Sequence, residues 1–307
     1  MTRSHSELRA LRVDDPEGFQ RRLVDRRRAD PPSDGRLFIV AADHPARGAL
    51  GVGIDSMAMA DRDDLLDRLC RALARPGVDG VLGTADVLED LAALGALEGK
   101  VAVGSMNRGG LRGAVFELDD RFTGYSVAGA MRANLDFGKL LLRIDLDDPG
   151  TVRTLEQAGR AVTDAADAGL PLMVEPFISR RARGAVLNEL SPDAVIKSVA
   201  VSSGLGSSSA RTWLKLPVVD EMERVMAATT LPTLLLGGDR DGHLDQALSR
   251  WEHALSLPGV RGLTVGRTLL YPLDGDVESA VDAATRLVHG TLDPVPAPPA
   301  VPTWSAS

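Results

Sequence analysis

Between residues 35 and 290, short apolar runs rich in strand-forming residues alternate with longer stretches in which apolar residues recur every three or four positions. No other feature constrains the fold as strongly, because parallel strands require crossover helices and, when both faces are buried, read as unbroken apolar runs. The runs are 37–42 (LFIVAA), 80–83 (GVLG), 101–105 (VAVGS), 139–145 (KLLLRID), 170–177 (LPLMVEPF), 212–218 (TWLKLPV), 231–238 (LPTLLLGG) and 262–269 (GLTVGRTL). Helical patterns lie between them, among them 61–75, 152–168, 192–202, 220–229 and 243–257. Eight strands with intervening helices predict an α/β protein of the closed (β/α)8, or TIM-barrel, class over an open doubly wound sheet. The 256 residues of 35–290 match the roughly 250 such a barrel occupies. A polar, arginine-dense arm, 1–34, precedes the barrel, with one amphipathic helix expected at 16–29 and stopped by Pro31-Pro32. Residues 291–307 hold five prolines and little that could pack, and are expected to form a disordered tail.

In a barrel of this kind chemistry sits at the carboxyl ends of the strands. The polar residues placed there are Asp43-His44 after the first strand, Asn107-Arg108 after the third, Lys139, Arg143 and Asp145 in the fourth, Glu175 in the fifth, Lys215 in the sixth, Gly237-Gly238-Asp239 at the seventh and Gly266-Arg267 in the eighth. Composition sharpens this set. Of 35 basic residues only four are lysine, namely Lys100, Lys139, Lys197 and Lys215. Arginine cannot serve as a nucleophilic amine, whereas a desolvated lysine can. Lys215, inside the apolar TWLKLPV, is therefore the strongest candidate for a functional amine, against the alternative of a structural ion pair or a lysine reaching to the barrel rim. Lys139, if inward, would add a second cation that disfavours protonation of Lys215; at a strand start it could equally be a surface residue. Glu175 stands alone as a carboxylate deep in an apolar strand. Burial is expected to raise its pKa and suit it to proton transfer, and an ion pair with Lys139, Arg143 or Lys215 is compatible with that role. Asp43 can orient a substrate hydroxyl or assist proton transfer, or can be a turn residue or helix cap. Gly237 and Gly238, with Gly266 and Arg267 on the adjacent strand, suit a phosphate site at the place where barrels commonly hold one.

Other classes find little support. Asp and Glu outnumber Lys and Arg, 43 to 35, for a net charge of −8, so no basic field exists to attract nucleic acid. No run approaches the roughly 20 apolar residues of a membrane helix, and the N-terminus lacks a signal-peptide core, so a cytoplasmic location is expected. The five histidines show no metal-ligand spacing, and neither a GxSxG elbow nor a Walker lysine is present. No metal and no cofactor are expected. Cys70 reads as a small buried hydrophobe.

From 139 to 267 the chain resembles the class I (Schiff-base) aldolases of the deoxyribose-phosphate, tagatose-bisphosphate and archaeal-type fructose-bisphosphate superfamily. The likeness rests on KLLLRIDLDD, LPLMVEPF, the connection through SPDAVIKSVA, TWLKLPV, LPTLLLGG and GLTVGRTLLYP in order, and more weakly on IVAADHPARG. The resemblance implies Lys215 as the Schiff-base lysine, with Lys139 and Glu175 at the family's strand 4 and strand 5 positions. It implies retro-aldol cleavage of a phosphorylated ketose, with Asp43 assisting proton transfer and Arg143, Gly237, Gly238, Gly266 and Arg267 binding substrate or phosphate. Arg143-Ile144 stands where the tagatose branch is tyrosine-rich. Among substrates, 2-deoxy-5-keto-gluconate 6-phosphate of inositol breakdown ranks ahead of deoxyribose 5-phosphate. The alternatives are a deoxyribose-phosphate-type aldolase and a non-covalent sugar-phosphate isomerase or binding barrel. The expected partner is a small phosphorylated sugar, with no nucleic acid or membrane, and the expected assembly is a homo-oligomer.

Overall fold

Each of the eight apolar runs forms a strand, and the strands close on themselves. The computed structural model describes residues 5–30, 32–107, 110–182, 184–237 and 244–290. The barrel strands are β1 (Leu37–Ala41), β2 (Gly80–Gly83), β3 (Val101–Ser105), β4 (Phe137–Ile144), β5 (Leu172–Ala182), then, after a short antiparallel β6 (Ala185–Asn188), β7 (Thr212–Pro217), β8 (Thr233–Leu236) and β9 (Val260–Val265). Their order is β4-β3-β2-β1-β9-β8-β7-β5, and a parallel β4–β5 ladder from Gly138↔Leu172 to Ile144↔Ile178 closes the ring. All eight neighbouring pairs are parallel. The protein is a (β/α)8 barrel.

Alternation along each strand divides the core in two. In β1, Leu37, Ile39 and Ala41 join Leu82, Val101, Val103, Phe137, Met173 and Leu234 inside the barrel. Phe38 and Val40 face outward into the layer shared with the helices. Those helices are α3 (Arg62–Leu73), α4 (Ala85–Ala93), α5 (Val127–Arg132), α6 (Gly150–Ala168), α7 (Pro192–Ser203), α8 (Met222–Ala227), α9 (Leu244–Leu255), α10 (Arg267–Leu270) and α11 (Val277–His289). Asp61 caps α3 through the Asp63 and Asp64 amides, and Gly169 ends α6 in a left-handed turn, as the pattern at these positions predicts. The expected eighth strand, 262–269, instead runs from Val260 to Val265. Gly266, at φ −124° and ψ −90°, breaks the extended chain, and Arg267 therefore opens α10 and does not lie in a strand.

The arm differs from its expectation too. In place of one helix it has α1 (His5–Asp14) and α2 (Pro16–Asp25), separated at Asp15, whose carboxylate accepts from the Gly18 amide, with Pro16 at the first helical position. The apolar side of α2, Phe19 and Leu23, is buried in the outer core. Just beyond it, Arg26 has a fully buried side chain that donates to the Asn134 carbonyl at 2.7 Å and pairs with Asp136 at 2.7 Å. Ala29 packs against the barrel-interior cluster, so the arm covers the end opposite the candidate site. Among the described residues no helix is long and apolar enough to cross a membrane, and no group of three or more His, Cys, Asp or Glu could hold a metal. The Pro-rich segment 291–307 lies outside the described residues.

Candidate active site

Because side chains alternate across each strand, Lys139 shares the inward face of β4 with Phe137 and Leu141, Glu175 that of β5 with Met173, and Lys215 an inward position of β7. Asp43 follows β1 directly. These four buried groups form one chain of ion pairs. Lys215 Nζ lies 3.0 Å from Glu175 Oε1, Lys139 Nζ 2.6 Å from Glu175 Oε2, and Lys139 Nζ 2.9 Å from Asp43 Oδ2. The Ser105 hydroxyl stands 3.4 Å from the same Asp43 oxygen. Charges this deep persist only when paired, and the chain alternates in sign throughout.

The two lysines diverge. Burial disfavours both ammoniums, but Lys139 sits between two carboxylates, which overcome that penalty and raise its pKa. Lys215 is ion-paired, among the described residues, with Glu175 alone; burial, helped by the Lys139 charge, prevails and its pKa is lowered. The group singled out as an amine is thus the one that more readily becomes neutral. Glu175 corrects its expectation. Burial pushes its pKa up, yet the Lys139 and Lys215 ammoniums more than offset this, so it stays ionised below the usual carboxylate range. Asp43 is likewise held well below that range, with Lys139 as the chief opponent of burial. Glu175 forms the ion pairs left open for it, Asp43 is ion-paired where a turn residue or cap was the alternative, and Lys139 is buried where a surface position was the alternative. Cys70 is half-buried on α3, and burial pushes its thiol up to about 11.

Above the chain opens a cavity of about 750 Å³, with Glu175 and Lys215 at its floor and Arg143, Arg267, Gly237 and Gly266 in its wall. Lys139 and Asp43 lie one layer deeper. Gly237 and Gly266 have packing reasons to be glycine: a Cβ would come within 2.6 Å of Val265 Cγ1 at the first and 2.1 Å of the Ala41 carbonyl oxygen at the second. Gly238, the remaining candidate, lies outside the described residues. Arg267 lines the cavity and donates to the Gly51 carbonyl at 3.1 Å, tying the loop after β1 to α10. Arg143 pairs with buried Glu117.

In the long β3–α5 connection, sequence reasoning names Asn107 at a strand end but gives it no role, and does not name Glu117 or Asp120. Asn107 bridges to mid-β4, donating to the Leu141 carbonyl at 2.7 Å and accepting from the Leu141 amide at 2.8 Å, and it also donates to Asp120 Oδ2 at 2.9 Å. Burial pushes Asp120 up to about 6. The barrel rule flags Asn107 at its strand end, but not that it would brace β4. Asp120 and Glu117 sit in a loop whose path no local pattern reveals.

A Cgl0159-like family model matches residues 35–285. The crystal structure of Cgl0159 from Corynebacterium glutamicum is 60% identical and superposes with a TM-score of 0.90, over 92% of this chain and 96% of that one. A Schiff base forming fructose-1,6-bisphosphate aldolase shares the fold at a TM-score of 0.61 and 21% identity, over 88% of this chain and all of the other. A 2-amino-3,7-dideoxy-D-threo-hept-6-ulosonate synthase from Archaeoglobus fulgidus is 25% identical over 151 residues, so the chain spans about half of that curated relative. The family match runs from the loop before β1 into α11 and takes in every strand and all four groups of the buried ion-pair chain. This chain belongs to the Cgl0159-like family.

Proposed function

We propose that the protein is a class I aldolase that cleaves a phosphorylated ketose through a Schiff base on Lys215. One observation carries the reading: a buried lysine with a lowered pKa faces the cavity at the carboxyl end of a (β/α)8 barrel, next to a carboxylate that a second, firmly charged lysine holds ionised. A site that only bound a sugar phosphate would have no need of a lowered amine pKa. The fold shared with a Schiff base forming aldolase supports the same reading.

In this mechanism neutral Lys215 attacks the ketose carbonyl carbon, and the carbinolamine loses water to give an iminium. The hydroxyl proton on the carbon beyond the breaking bond passes to a carboxylate. The bond's electron pair flows into the iminium and leaves an enamine, and the aldehyde departs. Protonation of the enamine carbon and hydrolysis release the second product and restore the amine. Glu175, 3.0 Å from Lys215, carries protons to and from the nitrogen, with Asp43 behind it through Lys139. Gly237, Gly238, Gly266 and Arg267 hold the phosphate and so fix the carbonyl beside the amine, a positional effect worth up to about 7–11 kcal/mol in well-aligned systems. The substrate ranked first is 2-deoxy-5-keto-gluconate 6-phosphate, whose cleavage releases dihydroxyacetone phosphate.

Borohydride reduction in the presence of dihydroxyacetone phosphate, followed by intact-mass analysis, tests the reading. Wild type should gain a covalent adduct that Lys215→Met lacks. No adduct with any ketose phosphate, while such ligands still bind, would replace the aldolase reading with a non-covalent isomerase or binding barrel.

A further inference from the structure

Two arginines facing the cavity have donors that nothing in the described structure satisfies. Arg47, in the short turn after β1, has no carboxylate partner among the described residues, and its Nε–H is buried without an acceptor. Arg143 on β4 is paired with Glu117, yet its buried Nε–H also lacks an acceptor. Both side chains line the same cavity as Lys215. The turn carrying Arg47 is joined to the loop that pairs with Arg143, since the Arg112 amide donates to the Arg47 carbonyl at 3.0 Å and the segment that follows supplies Glu117. Donors left without acceptors on two arginines of one cavity point to a ligand that completes them. Guanidinium donors select planar or tetrahedral oxyanions.

Their place in the ring gives direction. β4 and β9 are four strands apart in a ring of eight, so Arg143 lies across the barrel from Gly266 and Arg267, with Lys215 at the floor between them; Arg47 comes from the loop after β1, beside β9, and its charge bears on Arg143 across the mouth. An extended ligand whose phosphate rests on the β8–β9 side and whose carbonyl meets Lys215 directs its far end toward Arg143.

We propose that Arg47 and Arg143 form a second oxyanion subsite, which binds a terminal anionic group on the aldehyde half of the substrate. This deepens the aldolase reading and rests on it. The subsite sets the chemical class of the aldehyde product: an aldehyde acid, or an aldehyde bearing phosphate, in preference to a neutral aldehyde.

The test measures carbon–carbon bond formation from dihydroxyacetone phosphate and three aldehydes: 3-oxopropanoate, glyceraldehyde 3-phosphate and neutral glyceraldehyde. Wild type should favour at least one anionic aldehyde over the neutral one in kcat/KM, and which one identifies the anion as carboxylate or phosphate. Arg47→Gln should reduce kcat/KM for that aldehyde by about 10- to 100-fold, the size of a lost charge-assisted hydrogen bond, with a loss at least tenfold smaller for the neutral one. Arg47→Lys should recover part of the loss. Equal use of neutral and anionic aldehydes by a wild-type enzyme that still forms the borohydride-trapped adduct would overturn the subsite and leave the aldolase reading standing. Absence of the adduct would overturn the aldolase reading. Binding by calorimetry then decides the subsite independently, with malonate as probe where 3-oxopropanoate is favoured and glycerol 3-phosphate where glyceraldehyde 3-phosphate is: weaker binding to Arg47→Gln than to wild type upholds it, and equal binding overturns it.

Discussion

Lys139 shows how one buried cation can set the chemistry of three other groups. It holds Asp43 and Glu175 ionised and leaves Lys215 the poorer site for a proton. Replacing it should therefore act on both stability and rate. Lys139→Met strands two buried carboxylates, and breaking such a pair costs about 3–5 kcal/mol, so a clear fall in Tm is expected. The same change removes a positive charge near Lys215 and frees Glu175 to favour its ammonium, and both effects raise the Lys215 pKa. The rising limb of the kcat/KM profile should then move to higher pH, while Lys139→Arg, which keeps the charge, should move it less. An unshifted limb in a folded Lys139→Met protein would show that Lys139 does not control the amine. The rarity of lysine made both residues visible in the sequence. Glu175 was visible too, but not its protonation state, because that depends on two lysines from strands 36 and 40 residues away in the chain.

Secondary-structure elements are tied together at the end opposite the site by a second charged cluster. His289, the last residue of α11, meets Asp34 at 2.6 Å and Asp79 at 3.2 Å, and Asp79 in turn accepts from the Phe38 amide of β1 at 2.6 Å. Burial lowers the His289 pKa, but the hydrogen bonds to Asp79 and Asp34 outweigh it and raise the pKa to about 8 from 6.5. The folded state thus binds this proton more tightly than the unfolded chain. The associated stability is complete below 6.5 and lost as pH rises through about 8. Thermal unfolding followed from pH 6 to 9 should show that decline, and His289→Gln should lower Tm at pH 6 and flatten the curve. Identical slopes in the two proteins would exclude His289 as the source. The helices themselves were readable where caps and periodicity agree, as in α3, α6 and α7. The start of α2 at Pro16 was readable, whereas α1 was missed because its polar pattern buries little beyond Leu8. The β6 strand was missed because a four-residue hairpin arm carries too short a pattern to register.

For the molecule as a whole, the arm decides whether the barrel is closed at its lower end. The family match begins at residue 35, which suggests a dispensable extension, but packing argues otherwise. Phe19 and Leu23 are 2% and 1% exposed, and Arg26 neutralises Asp136 beside the start of β4. Removing residues 1–30 uncovers those apolar faces and leaves Asp136 without its buried partner. The truncated protein should lose soluble folded yield or unfold at a much lower urea midpoint. Full-length Phe19→Ala alone should cost about 3–5 kcal/mol, as other large-to-small core changes do. A truncated chain with the wild-type midpoint would show that the arm is only an appendage.

The sequence alone determined the class of fold, because eight apolar runs separated by helical patterns can bury both faces of every strand only in a parallel sheet covered by helices. It also picked out Lys215, Glu175, Lys139 and Asp43, since strand-end position and the scarcity of lysine are local or compositional facts. Tertiary structure decided how those residues are charged, which of them reach the cavity, that Arg47 joins them there, and that Asn107, Glu117 and Asp120 brace β4 behind it. Ionisation depends on distances between strands far apart in the chain, and the path of a long loop follows from the surface it packs on, so neither leaves a periodic trace in the residues themselves.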